Sequence, residues 1–337
     1  MANFQLLNTL IGLDKFSQGT IETKQIAHID HAGECYPIHS YSMGSNRASD
    51  PCLIYIGGIH GLERIGSEVV LAFMQTLIER SNWDESLTNG LENLRLIFVP
   101  ALNPVGLAHN TRSNGNGIDL MRNAPIDAED RPPFLAGGHR LHRKIPWYRG
   151  RKGAPMETEA QALEKLIEQE CFGRRFSLVL DCHSGFGFQD RLWFPYAYSQ
   201  RPMEHLAEIY ALKELLTRTY PHLDYVFEPQ SLSYTSHGDL WDYFYQKSLA
   251  LNTTFLPLTM EMGSWRWIKK NPRQLVSLTG IFNPIIPHRL TRVLRRHIIL
   301  MEFLIRATRA WQQWVPAIDQ RNHMREKALE HWYAESR

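Results

Sequence analysis

The residues best suited to chemistry are two histidines and a glutamate spaced as metal ligands. Two of them lie in Gly57-Gly58-Ile59-His60-Gly61-Leu62-Glu63, directly after an apolar run. A strand that ends in a glycine turn can aim an imidazole, and a carboxylate three residues later, at one point. Zinc accepts such nitrogen and oxygen donors, and catalytic zinc sites use three protein ligands with a fourth position left open. The pair alone equally fits a loop histidine and a glutamate favoured by a helix dipole. A third donor from a second strand end changes the balance, and Leu180-Asp181-Cys182-His183-Ser184-Gly185 supplies it. His60, Glu63 and His183 thus read as ligands for one zinc per chain, although cobalt and nickel accept the same donors. Strand side chains alternate, so Cys182 is expected to turn away from His183 into the core.

The elements that must position these residues follow from periodicity. Residues 21–50 alternate apolar and polar types, as edge strands do. Buried strands are expected at Leu53–Ile56, through Leu94-Arg95-Leu96-Ile97-Phe98-Val99, at Phe176–His183 and through Thr253–Met262. Helical spacing covers about 65–80, the segment from Met156 to Glu170, about 203–219, 240–247 and about 291–314, with a loop-rich stretch over 106–155. Apolar strands alternating with helices predict an α/β fold: a mixed, mostly parallel central sheet with helices on both faces. The polar signatures HGLE, NPVG, DCHSG and EMGS are expected just past C-terminal strand ends, where ligand sites form in open α/β sheets. We read residues 1–337 as one catalytic domain: N-terminal edge strands over about 1–50, a hydrolase core over 51–265 and a helical extension over 266–337.

GGIHGLE, NPVG, GNGIDLMRN, LDCHSG, SHGDLWDY and FLPLTMEMG occur in this order over roughly residues 50–265. In this the chain resembles the zinc carboxypeptidases, with deacylases of the succinylglutamate desuccinylase and aspartoacylase type as a related branch. The first 45 and last 70 residues show no obvious match. The resemblance implies that Glu261 is the general base. A carboxylate between methionines in an apolar strand is costly to bury without partners or a raised pKa, and a raised pKa suits a base working near neutrality. The resemblance also makes Asp119 the carboxylate behind the first histidine, and Arg122 the clamp on a substrate carboxylate. Where relatives carry an asparagine beside that arginine, this chain has Met121, which cannot donate a hydrogen bond. The anion is then expected to rest on Arg122 with help from Asn123, and Met121→Asn to improve recognition of an ordinary peptide C-terminus. Arg112 is the candidate for stabilising an oxyanion, with Arg131, Arg140 and Arg143 as competitors in the same loop-rich region. Tyr234 falls where relatives place a mobile tyrosine over substrate. Asp239 and Asp242 are adequately explained as helix caps.

Composition narrows the class. The 337 residues are 43% hydrophobic, and 37 Lys+Arg against 35 Asp+Glu leave a formal charge of +2. That balance gives no whole-chain reason to expect nucleic acid or a membrane surface as partner. No segment approaches the roughly 20 apolar residues of a membrane span, and no signal peptide is visible at the N-terminus. Four scattered cysteines without a CxxC pair suggest reduced thiols in a cytoplasmic protein. The reading is a zinc metallocarboxypeptidase acting on an amide bond beside a carboxylate-bearing residue. A deacylase of N-acyl amino acids and a non-catalytic metal- or peptide-binding module are the alternatives. The long interval from Glu63 to His183 favours the peptidase branch.

Overall fold

In the computed structural model, which describes residues 21–334, one eight-stranded sheet runs through the molecule in the order β1-β2-β4-β3-β5-β8-β6-β7. The strands are β1 (Glu22–His31), β2 (Glu34–Gly44), β3 (Cys52–Gly57), β4 (Arg95–Val99), β5 (Phe176–Ser184), β6 (Arg191–Phe194), β7 (Val226–Pro229) and β8 (Thr254–Met262). The long helices are α1 (Arg64–Ser81), α2 (Thr158–Glu170), α3 (Leu206–Thr219), α4 (Leu240–Leu249), α5 (Pro287–Arg309) and α6 (Ile318–Tyr333). The pairs β3–β4, β3–β5, β5–β8 and β6–β7 are parallel, while β1–β2, β2–β4 and β6–β8 are antiparallel. The sheet is therefore mixed, with a parallel centre, as expected.

The central strands are apolar throughout because both of their faces are covered. Every residue of β3, β4 and β5 is buried. Tyr55 on β3 donates its hydroxyl to the Met301 carbonyl of α5, 2.6 Å away, and α1 packs against β3 and β5. Cys182 has the same orientation as Tyr55 and is buried there, as alternation predicts. Asp181 and His183 point to the other face, where Trp241 of α4 reaches Asp181. The chain thus uses one face of β5 for packing and the other for chemistry.

Several elements were not anticipated. The strands β6 and β7 have four residues each, too short for a period of two to stand out, and α6 is largely polar with only Ala328 and Trp332 buried. The tail helix α5 starts and ends earlier than its apolar spacing suggested. The signature DCHSG lies mostly inside β5 at its end, not beyond it, while Glu261 is a strand residue as read. The cysteines are free thiols, with Cys35 exposed and the other three buried. No helix among the described residues is long and apolar enough to cross a membrane. The N-terminal segment read for a signal peptide lies outside the described residues.

Candidate active site

Three neighbouring parallel strands at the centre of the sheet, β3, β5 and β8, build the site at their C-terminal ends. His60 follows β3 in a short turn, and Glu63 stands immediately before α1, where the helix dipole favours a carboxylate. Gly66 lets α1 approach β5: a Cβ there would lie 2.1 Å from the Cys182 carbonyl oxygen. Contact this close brings Glu63 to His183. The β5–β8 register pairs His183 with Glu261, so the two side chains leave the same face of adjacent strands. The Asn103-Pro104 turn braces the loop from behind, because the Asn103 amide donates to the Ile59 carbonyl at 3.1 Å and accepts from Gly106 N–H at 2.8 Å.

One ligand atom each from His60, Glu63 and His183 lies within 4.8 Å of the others, and all three residues are buried. The surrounding bonds aim them. Glu63 Oε2 accepts from the Ser184 N–H at 3.0 Å and lies 3.2 Å from His183 Nδ1. His183 Nε2 sits 2.6 Å from Asp181 Oδ2, which also accepts from Trp241 Nε1–H at 2.8 Å. His183 thus faces a carboxylate at each nitrogen, and with Asp181 holding the Nε2 proton a metal would take Nδ1 in place of the proton shared with Glu63. Arg112 Nη2 lies 2.8 Å from His60 Nε2, and a guanidinium only donates, so Nε2 carries a lone pair and Nδ1 the proton. That Nδ1 has no hydrogen-bond partner and stands 3.8 Å from Asp119 Oδ1. Two imidazoles and a carboxylate converging in a buried space are the donor types of a catalytic zinc site, and the residues fit that ion.

The electrostatics follow the same pattern. Burial lowers the His60 pKa well below the ordinary histidine value, and Arg112 adds to the effect, so the ring stays neutral. Burial would raise the Glu63 pKa, but His60, His183 and Arg112 outweigh it and hold the carboxyl at about 2. For His183 burial works against the charged form, yet Asp181 and Glu63 raise its pKa well above the usual value. Glu261 is pushed up to about 8, first by burial and then by Glu63. Its Oε2 is enclosed and has no hydrogen-bond partner. A carboxyl so placed exchanges a proton near neutrality.

The structure separates the candidate arginines. Arg112 belongs to the site: Nε donates to Asp119 Oδ2 at 2.8 Å and Nη1 to Glu63 Oε1 at 3.0 Å. Arg140 instead donates to the Gly150 carbonyl, and Arg131 lines a cavity that Tyr234 also borders. Arg122 is 3% exposed and bonds only to neutral groups, the Met121 and Ala136 carbonyls and the Tyr234 hydroxyl, the last at 3.3 Å. Among the described residues no carboxylate stands within ion-pair distance of it. The turn at Gly238 (φ +70°), where a Cβ would lie 2.0 Å from the Arg122 carbonyl oxygen, holds the Tyr234 segment against this arginine. Tyr234 is half-buried and also lines a cavity of about 530 Å³ with Asp130, Phe134 and Ser231.

Two expectations change. Met121 is 4% exposed and packed within the apolar core, so the residue in the asparagine place is a packing residue. The amide of Asn123 is taken at both ends by backbone, donating to the Arg149 carbonyl at 3.1 Å and accepting from Glu157 N–H at 2.6 Å. It braces the loop beside Arg122. Asp239 caps α4 as read, whereas Asp242 accepts from the Ala197 and Tyr198 N–H groups and ties α4 to that loop. Asp181 had been passed over, although its position two residues before His183 on one strand places both on one face.

Comparison with known proteins agrees with this geometry. The zinc carboxypeptidase family model matches residues 21–264. The chain belongs to the zinc carboxypeptidase family. The match begins with β1, so the family's extent takes in the N-terminal strands that showed no motif. Carboxypeptidase SOL1 of Arabidopsis thaliana is 34% identical over 77 residues, which are 23% of this chain and 16% of the relative. Human carboxypeptidase D is 31% identical over 91 residues, 24% of this chain and 7% of the relative. The chain therefore matches only a small part of these relatives' length. Among solved structures, thrombin-activatable fibrinolysis inhibitor superposes with a TM-score of 0.65 at 16% identity, covering 90% of this chain and 73% of the other. Carboxypeptidase A from Helicoverpa armigera gives 0.60 at 17% identity, with 86% and 71% covered. These two likenesses establish the fold.

Proposed function

We propose that this member of the family is a zinc-dependent metallocarboxypeptidase that hydrolyses an amide bond beside a carboxylate-bearing residue. The observation that carries the reading is Arg122. A buried guanidinium with no carboxylate in ion-pair distance among the described residues, near a His, Glu, His donor set and Glu261 with its unpartnered Oε2, suits a substrate that brings its own carboxylate. Zinc held by His60, Glu63 and His183 would supply Lewis acidity and acidify water. Glu261 takes a proton from the attacking water at its free Oε2 and delivers it to the departing nitrogen. Arg112 directs N–H groups at the same point and is the donor for the developing oxyanion. Arg122 holds the substrate carboxylate, with Tyr234 beside it, and so orients the scissile bond.

The cavity of about 530 Å³ bordered by Tyr234 favours a peptide over a compact N-acyl amino acid. The test is hydrolysis by zinc-loaded protein of an N-blocked dipeptide, its C-terminal amide, and N-acetyl and N-succinyl amino acids. The expected result is turnover of the free-acid dipeptide with at least about a hundredfold loss on amidation. Preference for the N-acyl amino acids would assign the deacylase activity instead. No turnover of any of them would leave a binding module.

A further inference from the structure

A second charged site lies between the short helix Trp265–Lys270 and the first turns of α5. It is a pocket of about 170 Å³ whose wall carries Arg266, Lys270, Arg289, Arg292 and Arg296, with Asp190 as its one acidic residue. Arg296 is neutralised, because Nε lies 2.7 Å from Asp190 Oδ2 and Nη2 lies 2.6 Å from Asp224 Oδ1. The other four are not. Arg266 donates to the Phe188 carbonyl, and Arg289 donates to the Trp267 carbonyl at 3.1 Å and Gln274 Oε1 at 2.9 Å, all neutral acceptors. Among the described residues none of these four cations has a carboxylate within ion-pair distance. The whole chain carries a formal +2, so this pocket concentrates more uncompensated positive charge than the molecule has net.

The start of α5 points the same way. A helix N-terminus favours acidic residues and repels cations, yet the first turn of α5 has no acidic residue, its N-cap Ile286 offers no side-chain acceptor, and Arg289 and Arg292 follow. Four cations without a carboxylate partner around one small cavity form the surroundings of a multiply charged oxyanion. We propose that this pocket binds a phosphate-class anion of the size of phosphate or diphosphate, either free or carried by a substrate. Gly263, in the same wall, is two residues beyond Glu261 at the end of β8, so the pocket adjoins the strand end that carries Glu261.

The probe is pyrophosphate, titrated calorimetrically into the full chain without reference to turnover, so failure here is separable from failure of the hydrolase reading. One saturable site is expected, weakening as salt rises. Arg292→Glu and Lys270→Glu, both at exposed positions, should each weaken it by at least about tenfold, the usual effect of losing a charge-assisted bond. Arg218→Glu, on the unrelated helix α3, should leave it unchanged. Turnover of a phosphorylated and an unphosphorylated peptide separates the sources. A lower KM for the phosphorylated peptide that Arg292→Glu abolishes assigns a substrate-borne group, whereas equal KM values with a rate altered by pyrophosphate assign a free effector. No saturable binding, or binding equal in wild type and both charge-reversal variants, overturns the proposal.

Discussion

Replacing Asp181 with asparagine isolates the part of the site that the structure adds to the ligand triad. Asp181 is fully buried, and its Oδ2 accepts from both His183 Nε2–H and Trp241 Nε1–H, while Oδ1 has no partner. The Asp181→Asn amide can present its oxygen to the same two donors, so the geometry survives and only the charge is lost. Its nitrogen then occupies the unpartnered corner, a buried donor left unmade, at about 1–3 kcal/mol of stability. Without the negative charge, His183 is a weaker base and a weaker ligand. Loss of such a partner behind a metal-bound histidine typically reduces metal affinity 10–100-fold, or about 1.4–2.7 kcal/mol. Trp241→Phe removes one hydrogen bond but keeps the carboxylate, and should change zinc affinity far less. The assay is zinc affinity by chelator competition, run beside urea unfolding of the metal-free proteins. Zinc affinity of Asp181→Asn within about threefold of wild type, or an equal loss in Trp241→Phe, would refute the assigned role of the Asp181 charge.

Other consequences follow from the same structure. Glu261→Gln should retain fold and zinc yet lose at least about a hundredfold in kcat, and near-normal turnover would remove Glu261 from the mechanism. Met121→Asn places an amide in the apolar core and should lower unfolding stability by about 1–3 kcal/mol without raising kcat/KM, as read by denaturant titration and peptide hydrolysis. Burial holds the His297 pKa at about 4, below its ordinary 6.5, with Asp190 opposing and Arg296 reinforcing the shift. Between those pH values the unfolded chain takes up a proton that the folded chain refuses, so this contribution is present above about 6.5 and is lost as pH falls toward 4. His297→Gln should therefore show about 2–3 kcal/mol less loss of stability between pH 7 and 4.5, and identical pH slopes would contradict that assignment.

The ligand triad was legible because its chemistry and its local structure coincide. His60 and Glu63 follow an apolar run and a glycine turn, and His183 lies in another apolar run, so residue type and element agree. The central strands were equally plain, since strands buried on both faces read as unbroken apolar runs. Asp181 was missed for a reason that parity could have supplied: residues two apart on a strand share a face. The brace formed by Asn103 and the contact of Trp241 with Asp181 depend on chain segments more than 40 residues apart, which no local pattern encodes. Met121 and Asn123 show the opposite limit. Motif position suggested a substrate contact for each, but burial of one and the backbone bonds of the other are set by how the loop over 106–155 folds back on itself. Arg122 became informative only when its bonds to neutral groups alone could be seen.

The most direct test of the account is hydrolysis of an N-blocked dipeptide measured before and after chelation and again after one equivalent of zinc per chain. The site geometry predicts that wild type loses turnover on chelation and regains it with zinc, while His183→Ala shows none in either state. Turnover that persists in the chelator, or that zinc restores equally in His183→Ala, would contradict a centre built on His60, Glu63 and His183.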